Sequence, residues 1–214
     1  EEWMSLIDKV AQAFPADDQL VYMQVTRGVA KRAHAVPEDV TPTVFIMTNA
    51  LVQPTAEQRA SGVACVTMED RRWLNCHIKS ISLLGNVLAA QHASEHDAVE
   101  VIQFRDGLLT EGAAANVWIV KDGKLLAPPR DNLILEGIRY GLLEELCEKA
   151  GIAFEARRIT REEVLDADEV LLSSASKEVL AVISIDGKPA GSGKPGPVYH
   201  KLYAAYGAAK SELL

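Results

Sequence analysis

Residues 72–91 read RWLNCHIKSISLLGNVLAAQ. The opening RWLNCHI has the composition of a strand, and beyond it Ile81, Leu84, Val87, Leu88 and Gln91 recur at the three-to-four spacing of a helix. The stretch therefore predicts a strand, a junction at Lys79, and a helix over residues 80–96. A lysine at such a junction has two readings. Turned into a cleft, its amine is desolvated, its pKa falls, and it becomes a nucleophile for carbonyls. Turned outward, it is a solvated lysine at a helix start, the commoner case.

Upstream, Trp3, Leu6, Ile7, Val10, Ala13 and Phe14 mark an amphipathic helix over residues 2–14, stopped by Pro15. QLVYMQVTR (19–27) alternates like a strand and is closed by Gly28, and TVFIMTN (43–49) reads as a second strand. In LVQPTAEQRASG (51–62) the apolar period stops and Pro54 and Gly62 punctuate the chain, so it reads as a linker. The expected organisation is a small N-terminal α/β part over 1–52 and a larger domain over 53–214.

A strand near GVACVTME opens the second part. Downstream, VEVIQFR-DG-LLTEG and NVWIV-KDG-KLLAP read as hairpins turning at Asp106-Gly107 and Asp122-Gly123. Arg139–Ala150 is helical with Gly151 just past its end, and Thr160 with Glu163 forms a capping box. EVLLSS and VLAVISI are strands, Asp186-Gly187 turns the second, and a helix runs from about 197 to the end. The fold class is α+β with a strand-rich second domain.

Composition narrows the function. The 214 residues carry 22 Lys+Arg against 30 Asp+Glu, a net charge of −8, with 48% hydrophobic and 24% charged residues. That is globular composition and excludes a disordered or low-complexity chain. The acidic balance argues against a nucleic-acid coat, because phosphate affinity rests on clustered Lys and Arg. No apolar run reaches the ~18–20 residues of a membrane span. The start, Glu1-Glu2-Trp3, is acidic where a secretory signal is basic. Cys65, Cys76 and Cys147 form no CxxC and no disulfide framework, so a reducing cytoplasm is expected.

Three further features carry possible chemistry. Glu111, in LLTEGAAANVW, is followed by Gly112 and three alanines that leave room for a flat group; a tight turn with an exposed glutamate is the plainer reading. Gly137 precedes a helix whose first amides, Ile138 and Arg139, suit an anion, and Ser173, Ser174 and Ser176 end a strand with hydroxyls for the same anion or for an ordinary turn. In Lys31-Arg32-Ala33-His34, Arg32 offers a fork matched to a carboxylate and an extended backbone puts His34 on the same side; a solvated basic loop is the alternative. His92 and His96 sit at i, i+4 without an acidic third ligand, GSGKPG (191–196) lacks the P-loop spacing, and Cys76-His77 places two side chains on opposite faces.

In their order, VYMQVTRG…KRAH, RWLNCHIKSISLLGNVLAAQ, TEGAAANVW, NLILEGIR and VLLSSASKE resemble the fold-type IV pyridoxal-phosphate enzymes, and among them the D-amino-acid aminotransferases. The resemblance runs over nearly the whole chain. It implies the two-domain fold of that family, pyridoxal 5'-phosphate as cofactor, and transamination between D-amino acids and 2-oxo acids in a homodimer. By position it implies that Lys79 holds the cofactor and moves the substrate proton. It places Glu111 at the pyridine nitrogen, Arg72, seven residues before Lys79, near the phenolic side, and Leu135 near the ring. Ile138 and Arg139 would form one side of the phosphate cup and Ser174 and Ala175 the other, while Arg32 and His34 would take the substrate carboxylate across a dimer interface.

The sequence departs from the family in two respects. Threonine is common in the family where Arg139 and Ala175 stand. Family members also have several dozen residues before the point where this chain begins, including an arginine for the phosphate and a tyrosine for the substrate. Either the numbered chain is part of a longer protein or the natural protein is short; the former is expected, since the first sheet alone leaves strand edges open. Branched-chain aminotransferase and aminodeoxychorismate lyase share the fold, and Arg32-Ala33-His34 favours the D-amino-acid enzyme over both. A remnant that kept the fold and lost activity is the rival of another class; Lys79 and Glu111 argue against it.

Overall fold

The computed structural model describes residues 1–212 and divides into two compact units, 1–53 and 54–214. In the first unit, helix α1 (Glu2–Gln12) precedes an antiparallel pair, β1 (Gln19–Thr26) and β2 (Thr43–Ala50), in register from Gln19↔Ala50 to Thr26↔Thr43. Gln19 ties helix to strand: its amide donates to the carbonyls of Ala11, Phe14 and Ala16 at 2.9–3.1 Å, and its oxygen accepts the Thr48 hydroxyl.

The second unit begins with α2 (Ala56–Ser61), inside the stretch expected to be a linker. Thr55 and Gln58 form a capping box there, which overrides the Pro54 and Gly62 punctuation. Its sheet comprises β3 (Val63–Glu69), β4 (Glu100–Arg105), β5 (Leu108–Leu109), β6 (Asn116–Lys121), β7 (Lys124–Ala127), β8 (Phe154–Ala156), β9 (Glu169–Ser174), β10 (Glu178–Ile185) and β11 (Lys188–Pro189). Among the described residues the strand order is β5-β4-β3-β10-β9-β6-β7-β8, with β11 on β10. The short β8 has no pattern of its own in the sequence; it forms by parallel pairing with β7. At the hairpin turns Asp106-Gly107, Asp122-Gly123 and Asp186-Gly187 every residue has positive φ, as the tight primed turns require.

Alternate residues of the central strands supply two cores. Val117, Ile119, Leu172, Leu180 and Val182 face one, with Ile102, Phe104 and Ile159; Trp118, Val120, Leu171, Val179 and Ala181 face the other. Both faces are covered, so these strands read as near-continuous apolar runs. Helices α4 (Ile138–Ala150) and α6 (Pro197–Ser211) cover the second core through Tyr140, Leu143, Tyr199 and Leu202. The last residues of the expected C-terminal helix lie outside the described ones. The far edges of the sheet meet where the Leu109 N–H donates to the Ile159 carbonyl at 2.8 Å and Leu108 bridges Thr160, so the sheet curls around the first core. The box of Thr160 and Glu163 caps α5 (Arg161–Leu165).

The opening stretch folds differently from its expectation. RWLNCHI is not a strand, and the helix, α3, spans only Leu84–Glu95. Residues 73–83 form an irregular loop fastened to another: the Cys76 N–H donates to the Asn132 carbonyl at 2.8 Å and the Asn132 amide to the Leu74 carbonyl at 2.7 Å. α3 is also turned over. Ala89 and Ala93 pack on the sheet with Val66 and Val101, while Leu84, Val87 and Leu88 are 55–71% exposed.

Candidate active site

Strands β4, β6, β9 and β10 bring Glu100, Asn116, Ser174 and Glu178 to one end of the sheet. There the β5–β6 connection, residues 110–115, runs back along β4 through exchanged backbone bonds between Gln103 and both Thr110 and Glu111. The Gln103 side chain holds the Gly112 carbonyl at 2.9 Å, and the Asn86 side chain on α3 holds the Ala113 carbonyl at 2.7 Å.

Glu111 is buried, at 5% exposure, rather than at the tip of a turn. Its oxygens accept Arg72 Nη1 at 2.5 Å, the Leu135 N–H at 3.1 Å and Asn116 Nδ2 at 3.2 Å. With donors on both oxygens, the ionised, acceptor-only form is the one this geometry takes. Burial pushes the Glu111 carboxyl above its ordinary range, and the charge and hydrogen bond of Arg72 pull against that.

Arg72 stands between two acids. Its Nε and Nη2 donate to Asp70 at 2.9 and 2.8 Å while Nη1 serves Glu111. Asp70, with no side-chain exposure, also takes the Thr110 hydroxyl at 2.9 Å and pairs with Arg105 at 3.1 Å. Burial raises the Asp70 carboxyl, but the Arg72 and Thr110 bonds outweigh it and bring it down to about 2. Two cations thus balance two buried carboxylates, the condition on which a buried ionic network is tolerable.

Asn116 joins this network to the next. Its amide donates to the Leu135 carbonyl at 2.8 Å and its oxygen accepts the Gly137 N–H at 3.2 Å, fixing the entry to α4. Gly137 is required sterically, since a Cβ would lie 2.3 Å from Asn116 Oδ1. No side chain caps α4, so the first-turn amides at Ile138 and Arg139 remain available to an anion. Arg139 Nη2 reaches the Ala175 carbonyl at 3.4 Å, linking the helix start to the β9–β10 turn. In that turn Ser174 Oγ accepts the Lys177 N–H at 3.0 Å. Ser173 is not a free hydroxyl, because its Oγ is buried and accepts Trp118 Nε1.

Hydrogen bonds thus connect Arg72, Glu111 and Leu135, run through Asn116 to the start of α4, and resume from Arg139 to Ala175. Lys79 stays outside this chain: it is exposed on the 73–83 loop, and its ammonium bonds to no described residue. Cavities of about 480 Å³ beside Leu135 and His77, and about 760 Å³ beside Arg72 and Gln103, border the network. Arg32 and His34 belong to the first unit and are exposed. Arg27 shapes their loop, donating to the carbonyls of Ala33, His34 and Ala35 at 2.6–3.3 Å.

Asp70, Glu100, Asn116 and Arg27 were not singled out by sequence. For the first three a signal existed: a polar residue beside or within a strand that is otherwise apolar.

Over residues 1–185 the chain matches the family described as amino-transferase class IV. It is 43% identical over 185 residues to a D-alanine aminotransferase of Bacillus licheniformis, covering 86% of this chain and 65% of that protein. To a D-alanine aminotransferase of Staphylococcus aureus (strain MSSA476) it is 39% identical over 207 residues, covering 96% and 73%. The chain therefore spans about two thirds to three quarters of these relatives' length. Its fold is similar to the crystal structure of a branched-chain amino acid aminotransferase of Escherichia coli, with TM-score 0.85, 25% identity, and coverage of 97% of this chain and 70% of that one.

Proposed function

The chain belongs to the class IV aminotransferase family, and from that premise we propose that it transaminates D-amino acids, such as D-alanine, with a 2-oxo acid, such as 2-oxoglutarate, using pyridoxal 5'-phosphate. The observation that carries this reading is the buried Glu111 carboxylate, with an arginine on one oxygen and a backbone amide across both. Such a carboxylate suits a protonated pyridine nitrogen.

The remaining donors fit the same group. The uncapped start of α4, with no Cβ on Gly137, faces the needs of a phosphate, and the Ser174–Ala175 turn is joined to it through Arg139. When bound, the cofactor supplies the electron sink for a carbanion at the substrate Cα. Lys79, free of any competing partner among the described residues, is assigned the cofactor attachment and the proton transfer at Cα. Glu111 keeps the ring nitrogen protonated. Arg72 is assigned to the phenolic side, anchored by Glu111 and Asp70. Leu135 packs against the ring, and Ile138, Arg139, Ser174 and Ala175 hold the phosphate. Arg32 and His34, on the loop that Arg27 fixes, take the substrate carboxylate of a partner subunit.

A homodimer is part of this reading. The outward apolar face of α3, with Trp73, Leu74 and Ile81 beside it at 45–62% exposure, is the kind of surface that a second subunit covers. The three unpaired thiols support a cytoplasmic location. Among the described residues, no helix is long and apolar enough to cross a membrane.

Incubation with D-alanine and 2-oxoglutarate tests the reaction. Pyruvate is expected from D-alanine and not from L-alanine. Turnover of L-leucine in place of D-alanine would overturn the substrate assignment in favour of the branched-chain reading.

A further inference from the structure

Glu100 is the buried acid that the chemistry above does not use. It opens β4 at 2% exposure, in a position where an apolar side chain would suit the sheet better. Its oxygens are fully engaged. One accepts the Val101 N–H at 3.0 Å and the Ala113 N–H at 2.8 Å; the other accepts the Ala114 N–H at 3.3 Å and Lys177 Nζ at 3.2 Å. Gly112 makes room for it, since a Cβ there would lie 3.0 Å from Glu100 Cγ and Cδ.

The two ends of this ion pair sit in different parts of the site. The Glu100 carboxylate grips Ala113 and Ala114, just beyond Glu111. Lys177 closes the β9–β10 turn, its own N–H bonded to Ser174 Oγ. In the sheet, β3 and β10 separate β4 from β9. However, β3 begins at Val63, opposite Val182, so the start of β10 overhangs it and Lys177 reaches across the gap. A charge is expensive to bury, and persists where several donors and a cation hold it.

We propose that Glu100 and Lys177 form a positioning pair that sets the distance between the Glu111 loop and the Ser174–Ala175 turn, so that one ligand meets both. This rests on the pyridoxal-phosphate reading of the site. A ligand that spans both ends depends on that spacing, and a ligand that uses only the ring end does not.

The test compares pyridoxal phosphate with pyridoxal, which lacks the phosphate, by fluorescence titration of the full-length protein and of Lys177→Met, Lys177→Arg, Glu100→Gln and the double variant Glu100→Gln/Lys177→Met. Thermal unfolding of each protein without ligand is recorded alongside. Lys177→Met is expected to weaken pyridoxal phosphate at least tenfold and leave pyridoxal within twofold. Lys177→Arg restores binding, and the double variant is no weaker than its weaker parent. Were Lys177 a direct phosphate ligand instead, Glu100→Gln would leave pyridoxal phosphate binding unchanged or tighter, and that result overturns the proposal. Equal loss of both ligands in Lys177→Met, tracking a lower unfolding temperature, overturns it as well. A parent protein that binds neither ligand sinks the pyridoxal-phosphate reading itself, and this proposal with it.

Discussion

Replacing Arg72 by methionine removes the only cation among the described residues that touches Glu111, while keeping most of the side-chain volume. Glu111 would retain the Leu135 N–H and Asn116, and Asp70 would retain Arg105 and Thr110. Breaking a buried pair from one side costs about 3–5 kcal/mol. The lower end applies because the remaining donors persist, so a loss of about 3 kcal/mol is expected at pH 7 in urea denaturation of the ligand-free protein. The penalty is that of an unpaired buried charge, and a proton relieves it. Burial already raises the Glu111 carboxyl, and without Arg72 it rises further. The deficit should therefore be smaller at pH 5 than at pH 7. Removing the charge as well, in Arg72→Met/Glu111→Gln, should recover about 2 kcal/mol relative to the sum of the single losses. An Arg72→Met protein within about 0.5 kcal/mol of the parent, or an additive double variant, would refute the ionic network as the basis of the site.

Two more predictions concern Asp70 and the entry to α4. Asp70 sits at about 2 rather than the ordinary 3.8, so it contributes about 2 kcal/mol that is present above pH 3.8 and lost as pH falls towards 2. Glu111, shifted upward from its ordinary 4.5, works in the opposite sense; acid unfolding followed by far-ultraviolet circular dichroism should show the Asp70 loss, and Asp70→Asn should abolish it. Gly137→Ala keeps an allowed backbone, at φ −66° and ψ 153°, but drives a methyl group against Asn116 Oδ1. It should cost about 1–3 kcal/mol in thermal unfolding and weaken pyridoxal phosphate by about tenfold in a fluorescence titration, corresponding to about 1.4 kcal/mol.

Local chemistry was the most legible part of the sequence. The Asp-Gly turns, the Thr160–Glu163 box and the αL residue Gly151 after α4 each depend on a few neighbouring residues, and each formed as its signal implied. The box of Thr55 and Gln58 was equally legible, but loop punctuation on either side obscured it. RWLNCHI failed as a strand because its backbone is fastened to Asn132, a long-range partner that periodicity does not report. α3 shows the limit of amphipathicity: the period was right and the buried face was wrong, because alanines allow close approach to the sheet and the larger side chains are left outside. In the site, glycine and small-residue signals marked Glu111 and Gly137. Asp70 and Glu100 stood out only as polar residues in apolar strand surroundings; that Asp70 anchors Arg72 and that Glu100 grips Ala113 and Ala114 and pairs with Lys177 depends on contacts between residues distant in the sequence.

Borohydride reduction of the protein with pyridoxal phosphate, followed by peptide mass mapping, tests the central assignment most directly. The account predicts a yellow protein whose visible band disappears on reduction and whose pyridoxyl mass lies on the peptide containing Lys79. A label on another lysine, or no label at all, would contradict it.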